Sequence, residues 1–138
     1  MVTPTVDYVI DGCIYGHSIS TAEEFIEWRS DIFYNKAYTI LENDIDLEGM
    51  VLPAVGGESQ LSGVLDGRGY TVSNFSYGYN YGLFYYINAS GAVKNIQFVN
   101  VVQDCLGQAE GTHERMSLLG DNLMGTVENV LFKVTIKN

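Results

Sequence analysis

The carboxylates Asp44, Asp46 and Asp66, with Arg68 two positions beyond the last, are the side chains whose types and spacing could do chemistry. Hard carboxylate oxygens hold calcium, and a basic residue beside them could accept a proton, which together would make a lyase-type site. The competing reading is stronger, because "DIDL" and "DG" are sequences in which a carboxylate caps a turn of its own backbone. Nucleophilic chemistry has less to work with. The chain has two histidines, His17 and His113, and two cysteines, Cys13 and Cys105, with no Cys–His spacing or G-x-S-x-G elbow to activate a nucleophile. A sparse cysteine pair reads as reduced thiols rather than a bridge. The glycine-rich "GVLDGRG" lies between two strand-like runs and opens no helix, so it is not a phosphate loop. These residues predict a protein that is not an enzyme and carries no metal or cofactor.

Binding chemistry is better represented. In "FSYGYNYGLFYYI", Phe75 to Ile87, aromatic residues alternate with Gly78, Asn80 and Gly82. Tyr79, Tyr81 and Tyr85 are the members of this run expected to reach a ligand such as a glycan, with the others building the core. Acidic side chains form the second candidate surface. The chain carries a net charge of -10, of which residues 1 to 69 contribute -9, from twelve acids against Arg29, Lys36 and Arg68. Binding to nucleic acid through phosphates needs clustered Lys and Arg, so direct nucleic-acid binding is not expected, and anionic membrane surfaces are equally disfavoured. An acidic face instead suits a basic protein partner. Its candidate residues are Glu23, Glu24, Glu27 and Asp31.

These acids are positioned by the segment "SISTAEEFIEWRSDIFYN". Ser20 or Thr21 can cap its first turn with Glu23 or Glu24 closing a capping box, and Ala22, Phe25, Ile26, Trp28, Ile32 and Phe33 fall mostly at helical spacing. A helix near 21 to 34 is predicted, covering one end of the strands that succeed it in the chain. Ten tyrosines and fifteen glycines against two prolines predict strands and tight turns for the remainder. The aligned stretches "VSNFSY", "VKNIQF" and "VENVLF" repeat valine, asparagine and two apolar positions, with asparagines at Asn74, Asn95 and Asn129. Apolar residues at the first, fourth and sixth places slip out of strand phase at the asparagine, so the chain must bend there. Asparagine tolerates the left-handed conformation of such a corner, and stacked corners can join their amides in a ladder. The repeat spacings, 21 and 34 residues, predict stacked coils with a polar excursion near 101–116.

The order of "AYTILENDIDLEG", "VLPAVGG", "LSGVLDGRGYTVSNF" and "YGLFYYINASGAVKNIQFVN" resembles the modules that carry the GLUG motif in bacterial surface proteins and phage proteins. The resemblance covers roughly residues 18 to 138, departing where Tyr85 replaces the motif's second glycine and where Leu118-Leu119-Gly120 forms a degenerate copy. It implies a mainly β fold, a short right-handed parallel β-helix (solenoid) with one N-terminal capping α-helix. A single domain is expected, with a strand and the helix in 1–36 and coils in 37–138. The function implied is structural or adhesive, as in a phage virion or surface-display module acting through protein or glycan contacts. The alternative is a small acidic, phage-borne inhibitor that blocks the basic, nucleic-acid-handling groove of a host defence enzyme, in the manner of an anti-CRISPR protein or nucleic-acid mimic. No apolar run approaches the roughly 20 residues that span a bilayer, and the N-terminus lacks the pattern of a signal peptide. Synthesis in the cytoplasm, of the host if phage-encoded, or assembly into a virion is the resulting expectation. The strand-forming "VLFKVTIKN" leaves the last coil open, which suits pairing with another molecule, in a homo-oligomer or with a partner chain, or a continuation of the coils.

Overall fold

The computed structural model describes residues 8–10, 13–15, 17–30, 38–53, 60–77, 82–104 and 119–137. The chain is mainly β, with a mostly parallel sheet and, among the described residues, one helix. Strands β1 (Tyr8–Ile10) and β2 (Cys13–Tyr15) form an antiparallel pair. Strand β3 (His17–Ile19) leads into helix α1 (Ala22–Ser30). Three short strands precede the helix among the described residues, and of the predicted helical span 31–34 lies outside them. Next along the chain come β4 (Tyr38–Leu41), β5 (Ile45–Val51), β6 (Gln60–Leu61), β7 (Val64–Asp66), β8 (Thr71–Tyr77), β9 (Phe84–Ile87), β10 (Ala92–Asp104), β11 (Gly120–Leu123) and β12 (Thr126–Lys137). Val101 to Asp104, assigned from sequence to an excursion, instead complete β10. Residues 105–116 of that excursion lie outside the described residues.

Helix α1 begins as its capping sequence dictates. Thr21 Oγ1 accepts the Glu24 N–H at 3.1 Å, and the Glu24 carboxylate accepts from the Ser20 N–H at 3.2 Å and the Ser20 hydroxyl at 2.9 Å. Phe25, Trp28 and Arg29 form the buried face, where Trp28 meets Phe84 edge to face at 6.0 Å between centroids. The Arg29 Nε–H donates to the Leu83 carbonyl at 2.9 Å and Nη2 to the Pro53 carbonyl at 3.2 Å, tying the helix to two loops.

The register of the parallel strands sets everything downstream. Thr39 pairs with Leu65, Leu65 with Val93 and Val93 with Val127, offsets of 26, 28 and 34 residues. Ile45, Val72, Phe98 and Phe132 form a second series, offset by 27, 26 and 34. The 21-residue spacing read between Asn74 and Asn95 is therefore not a structural repeat. Asn74 lies one strand over from Asn100, because Ser73 pairs with Val99 and Phe75 with Val101. The 34-residue spacing between Asn95 and Asn129 does coincide with the register. Strand β10 meets both β7 and β8 along its length, since Asn95 and Asn100 turn it twice, at φ of 55° and 54°. Each bend resets the alternation, so Val93, Ile96, Phe98, Val101 and Gln103 all point inward. Strands β6, β9 and β11 form a separate parallel sheet.

Side chains from both sheets and the helix close one core. Phe25, Leu61, Leu65, Phe84, Ile87 and Phe98 are almost wholly inaccessible, and burying each stabilises the fold by about 1.5–3 kcal/mol. The close stacking needs glycine at one position in each layer. A Cβ on Gly91 would sit against the Leu61 carbonyl, and one on Gly125 against the carbonyls of Gly91 and Asn88.

Candidate functional site

The corners that turn the strands also gather the polar side chains, and they do so in two columns. In the first, the Asp46 carboxylate accepts the Glu48 N–H at 2.8 Å and the Asn74 amide at 2.9 Å, and the Asn74 oxygen accepts the Asn100 amide at 2.6 Å. In the second, Asp66 Oδ1 accepts the Arg68 N–H at 3.0 Å and the Asn95 amide at 3.2 Å, and Asn95 accepts from Asn129 at 3.0 Å. The three asparagines singled out by the repeat thus belong to two amide columns, each headed by a carboxylate. The common design is visible in "DLEG" and "DGRG". Glu48 and Arg68 both sit at φ 53°, followed by Gly49 and Gly69 at 82° and 87°, so the aspartate side chain bridges a left-handed turn.

Each of the carboxylates named in the sequence makes a hydrogen bond within the fold. Asp44 accepts the Thr71 N–H at 2.9 Å, and Asp46 and Asp66 are turned to their own columns. Burial pushes the Asp66 carboxyl up, but hydrogen bonds from Tyr38 (2.5 Å), the Arg68 N–H and Asn95, with the nearby charge of Lys94, outweigh it and hold it below the usual carboxylate range. Asp46 is held low by the Asn74 amide and the Glu48 N–H. Lys94 lies over the Tyr38 ring at 5.2 Å. Among the described residues no three His, Cys, Asp or Glu side chains converge as metal ligands.

Beside the first column runs a groove of about 490 Å³, lined by Asp46, Glu48, Gly49, Asn74, Phe75, Ser76, Asn100, Val102 and Asp104. Among the described residues that line it, the charged ones are all acidic. Asp46, Glu48, Asn100 and Asp104 are exposed, while Phe75 contributes a buried floor. Sequence reasoning missed Glu48, Asn100 and Asp104. The signal was present in "FVNVVQD", Phe98 to Asp104, whose asparagine falls in register with that of "VSNFSY". Both motifs carry Asn followed by an apolar residue, but the second is hidden inside one long strand. A smaller groove of about 410 Å³ runs over the second column, lined by Gly69, Asn95, Gln97, Asn129 and Leu131 among others.

The acids placed on the helix fare differently from one another. Glu23 and Glu27 are exposed one turn apart, whereas Glu24 is half-buried and committed to the cap. Burial raises the Glu24 carboxyl, but its hydrogen bonds from Ser20 and Thr21 pull it lower overall. Asp31 lies outside the described residues. Helix α1 packs against β5, the strand that carries Asp46 and Glu48. Tyr79 and Tyr81 also lie outside the described residues. Tyr85 is half-buried with its ring 4.3 Å from that of Tyr86, while Phe75, Tyr77, Phe84 and Ile87 are core. Comparison with protein families, curated proteins and solved structures finds no match to the chain.

Proposed function

We propose that the chain is a non-catalytic interaction module, a short right-handed parallel β-helix (solenoid) capped by α1, that binds a basic protein surface through its acidic groove. The groove carries this reading: Asp46, Glu48 and Asp104 line it together, with Asn74, Asn100 and Ser76 between them and no cationic side chain among the described lining residues. Carboxylates interleaved with fixed amides accept Lys and Arg groups, and a site of one sign steers a partner of the other. The solenoid architecture is supported by parallel offsets near one coil length and by left-handed corners at Asn74, Asn95, Asn100 and Asn129. The resemblance to GLUG-motif modules supports a structural or adhesive setting of the virion or surface-display type.

A second reading draws on the exposed Glu23 and Glu27 and the overall charge of -10, which suit a small acidic inhibitor seated in the basic groove of a nucleic-acid-handling enzyme. One titration separates the two surfaces. A fluorescent oligolysine peptide is titrated against the wild type and three double reversals of equal charge: Glu48→Lys with Asp104→Lys, Glu23→Lys with Glu27→Lys, and Glu42→Lys with Glu128→Lys. The groove reading expects the first to weaken binding by roughly tenfold or more and the others several-fold less. A dominant loss in the helix pair favours the inhibitor surface. Equal losses in all three would refute any localised site. A glycan array run on the same proteins tests whether the groove takes sugar hydroxyls instead.

A further inference from the structure

His17 takes no part in the amide columns, the groove or the helix cap, yet it is buried. It stands at the start of β3, the last strand at one end of the seven-stranded sheet, which pairs with β4 and, among the described residues, with no strand on its other side. The residue is 8 % exposed, and its register neighbour Thr39 and the following Ser18 are buried with it. Alternation along the strand puts His17 on the same face as Ile19, which is wholly inaccessible and belongs to the core. Its Nδ1 is inaccessible to solvent and has no hydrogen-bond partner among the described residues. A polar atom left bare in this way is uncommon, because burial without a partner forfeits the hydrogen bond it would make to water.

Such a site accepts one protonation state of the ring better than the other. A neutral imidazole can carry its proton on Nε2 and leave Nδ1 with a lone pair. The imidazolium donates from both nitrogens, so protonation would set an unmade N–H donor and part of a positive charge at the bare Nδ1. The charged and titratable groups of β4 and of the helix that β3 leads into are engaged elsewhere: Tyr38 with Asp66, Glu24 with its cap, and Arg29 with the Leu83 and Pro53 carbonyls, while Glu23 and Glu27 are exposed. Burial, and after it the charge of the N-terminus, holds the imidazole below the ordinary histidine value. A strand that accepts the proton when open and resists it when closed opens more as pH falls below about 6.5, the value of an unhindered histidine. What β3 gives up on opening is small. It has three register pairs with β4, the Glu42 N–H donates to the Ile19 carbonyl at 3.0 Å, and the Asn43 amide donates to the Ser20 carbonyl at 2.9 Å.

We infer that His17 is an acid-sensitive latch on this edge of the sheet: charging the imidazole releases β3 from β4 while the remaining strands stay stacked, baring the backbone groups of β4. The latch does not depend on the acidic groove. Native-state hydrogen exchange of the Glu42 amide, corrected for its intrinsic rate, reads the opening between pH 7.5 and 5 in the wild type and in His17→Gln and His17→Phe, whose new side chains do not titrate. Wild-type protection is expected to fall several-fold, with a ceiling of about thirtyfold set by an ordinary histidine in the open strand. It should stay below that of the β10 amides and respond weakly to urea, as a local opening does. Both variants should show a flatter dependence on pH, with circular dichroism checking that they fold. The wild type gives a second reading by itself, since the His17 Hε1 resonance should titrate below the ordinary histidine range. Glu42 protection that is constant with pH, or that falls equally in both variants, would overturn the inference, as would an imidazole that titrates at its ordinary value. Exchange at Glu42 that matches β10 in size and urea response would also overturn it, by showing that β3 leaves only when the whole chain unfolds.

Discussion

At the scale of single residues, the decisive side chains are the asparagines and aspartates at the corners. Asn95 is held at φ 55°, donates its amide to Asp66 and accepts one from Asn129. Alanine at this position would lose both hydrogen bonds and strain in the left-handed region, at a cost of about 2–4 kcal/mol. Glycine would lose the bonds but keep the backbone, so Asn95→Gly is expected to be the milder change by about 1 kcal/mol in urea denaturation. Asp66 adds a pH dependence with a definite sign. Its folded carboxyl is held below the ordinary value, so the folded state binds its proton less readily than the unfolded chain. The stabilisation is present above about pH 4 and is lost as pH falls through the folded value. Asp66→Asn should therefore show a shallower loss of stability on acidification than the wild type. An acid transition of unchanged steepness would count against this role. The imidazole of His17, buried at the start of β3, is pushed down by desolvation first and acts in the same direction at higher pH.

At the scale of elements, α1 depends on one buried cation as much as on its apolar face. Arg29 is 5 % exposed, and desolvation lowers its guanidinium to about 10 against a smaller opposing influence from Tyr77. It remains charged at neutral pH and spends that charge on the carbonyls of Leu83 and Pro53, which lie far apart in sequence. Arg29→Ala would leave those acceptors without their donor and open space under the helix, costing about 2–4 kcal/mol. Lysine would keep the charge but lose the two-armed geometry, so Arg29→Lys should recover only part of it. Thermal unfolding of the three proteins gives the order. The existence of the helix was legible in "STAEEFIEW", where Thr21 and Glu24 set the cap and Phe25 and Trp28 the buried side. The role of Arg29 was not, because an arginine in the last turn reads as a solvent-facing partner for the helix dipole.

At the scale of the molecule, charge is spread unevenly over the described strands and helix. Acids collect on α1 and around the first amide column, while the closing strand carries lysines and exposed apolar residues. Several acids offered by sequence for binding or catalysis also make scaffold contacts: Glu24 closes a helix cap, Asp46 and Asp66 bridge turns of their own backbone, and Asp44 accepts the Thr71 N–H from the start of β8.

The sequence by itself determined that this chain would be built of short strands bent at asparagines, because the slip in apolar phase at Asn74, Asn95 and Asn129 admits no straight strand. It also determined where the helix begins, since capping is a local affair of four residues. Which corner stacks on which was decided only by the tertiary structure. Asn74 and Asn95 stand in the same pattern of valine, asparagine and apolar positions, yet Asn74 joins Asn100 and Asp46, and Asn95 joins Asn129 and Asp66. Parallel register is a property of strands some 26 residues apart, set by how buried side chains such as Leu65, Val93, Phe75 and Phe98 fit over one another. The acidic groove arises from that register, so it exists only once the strands are stacked.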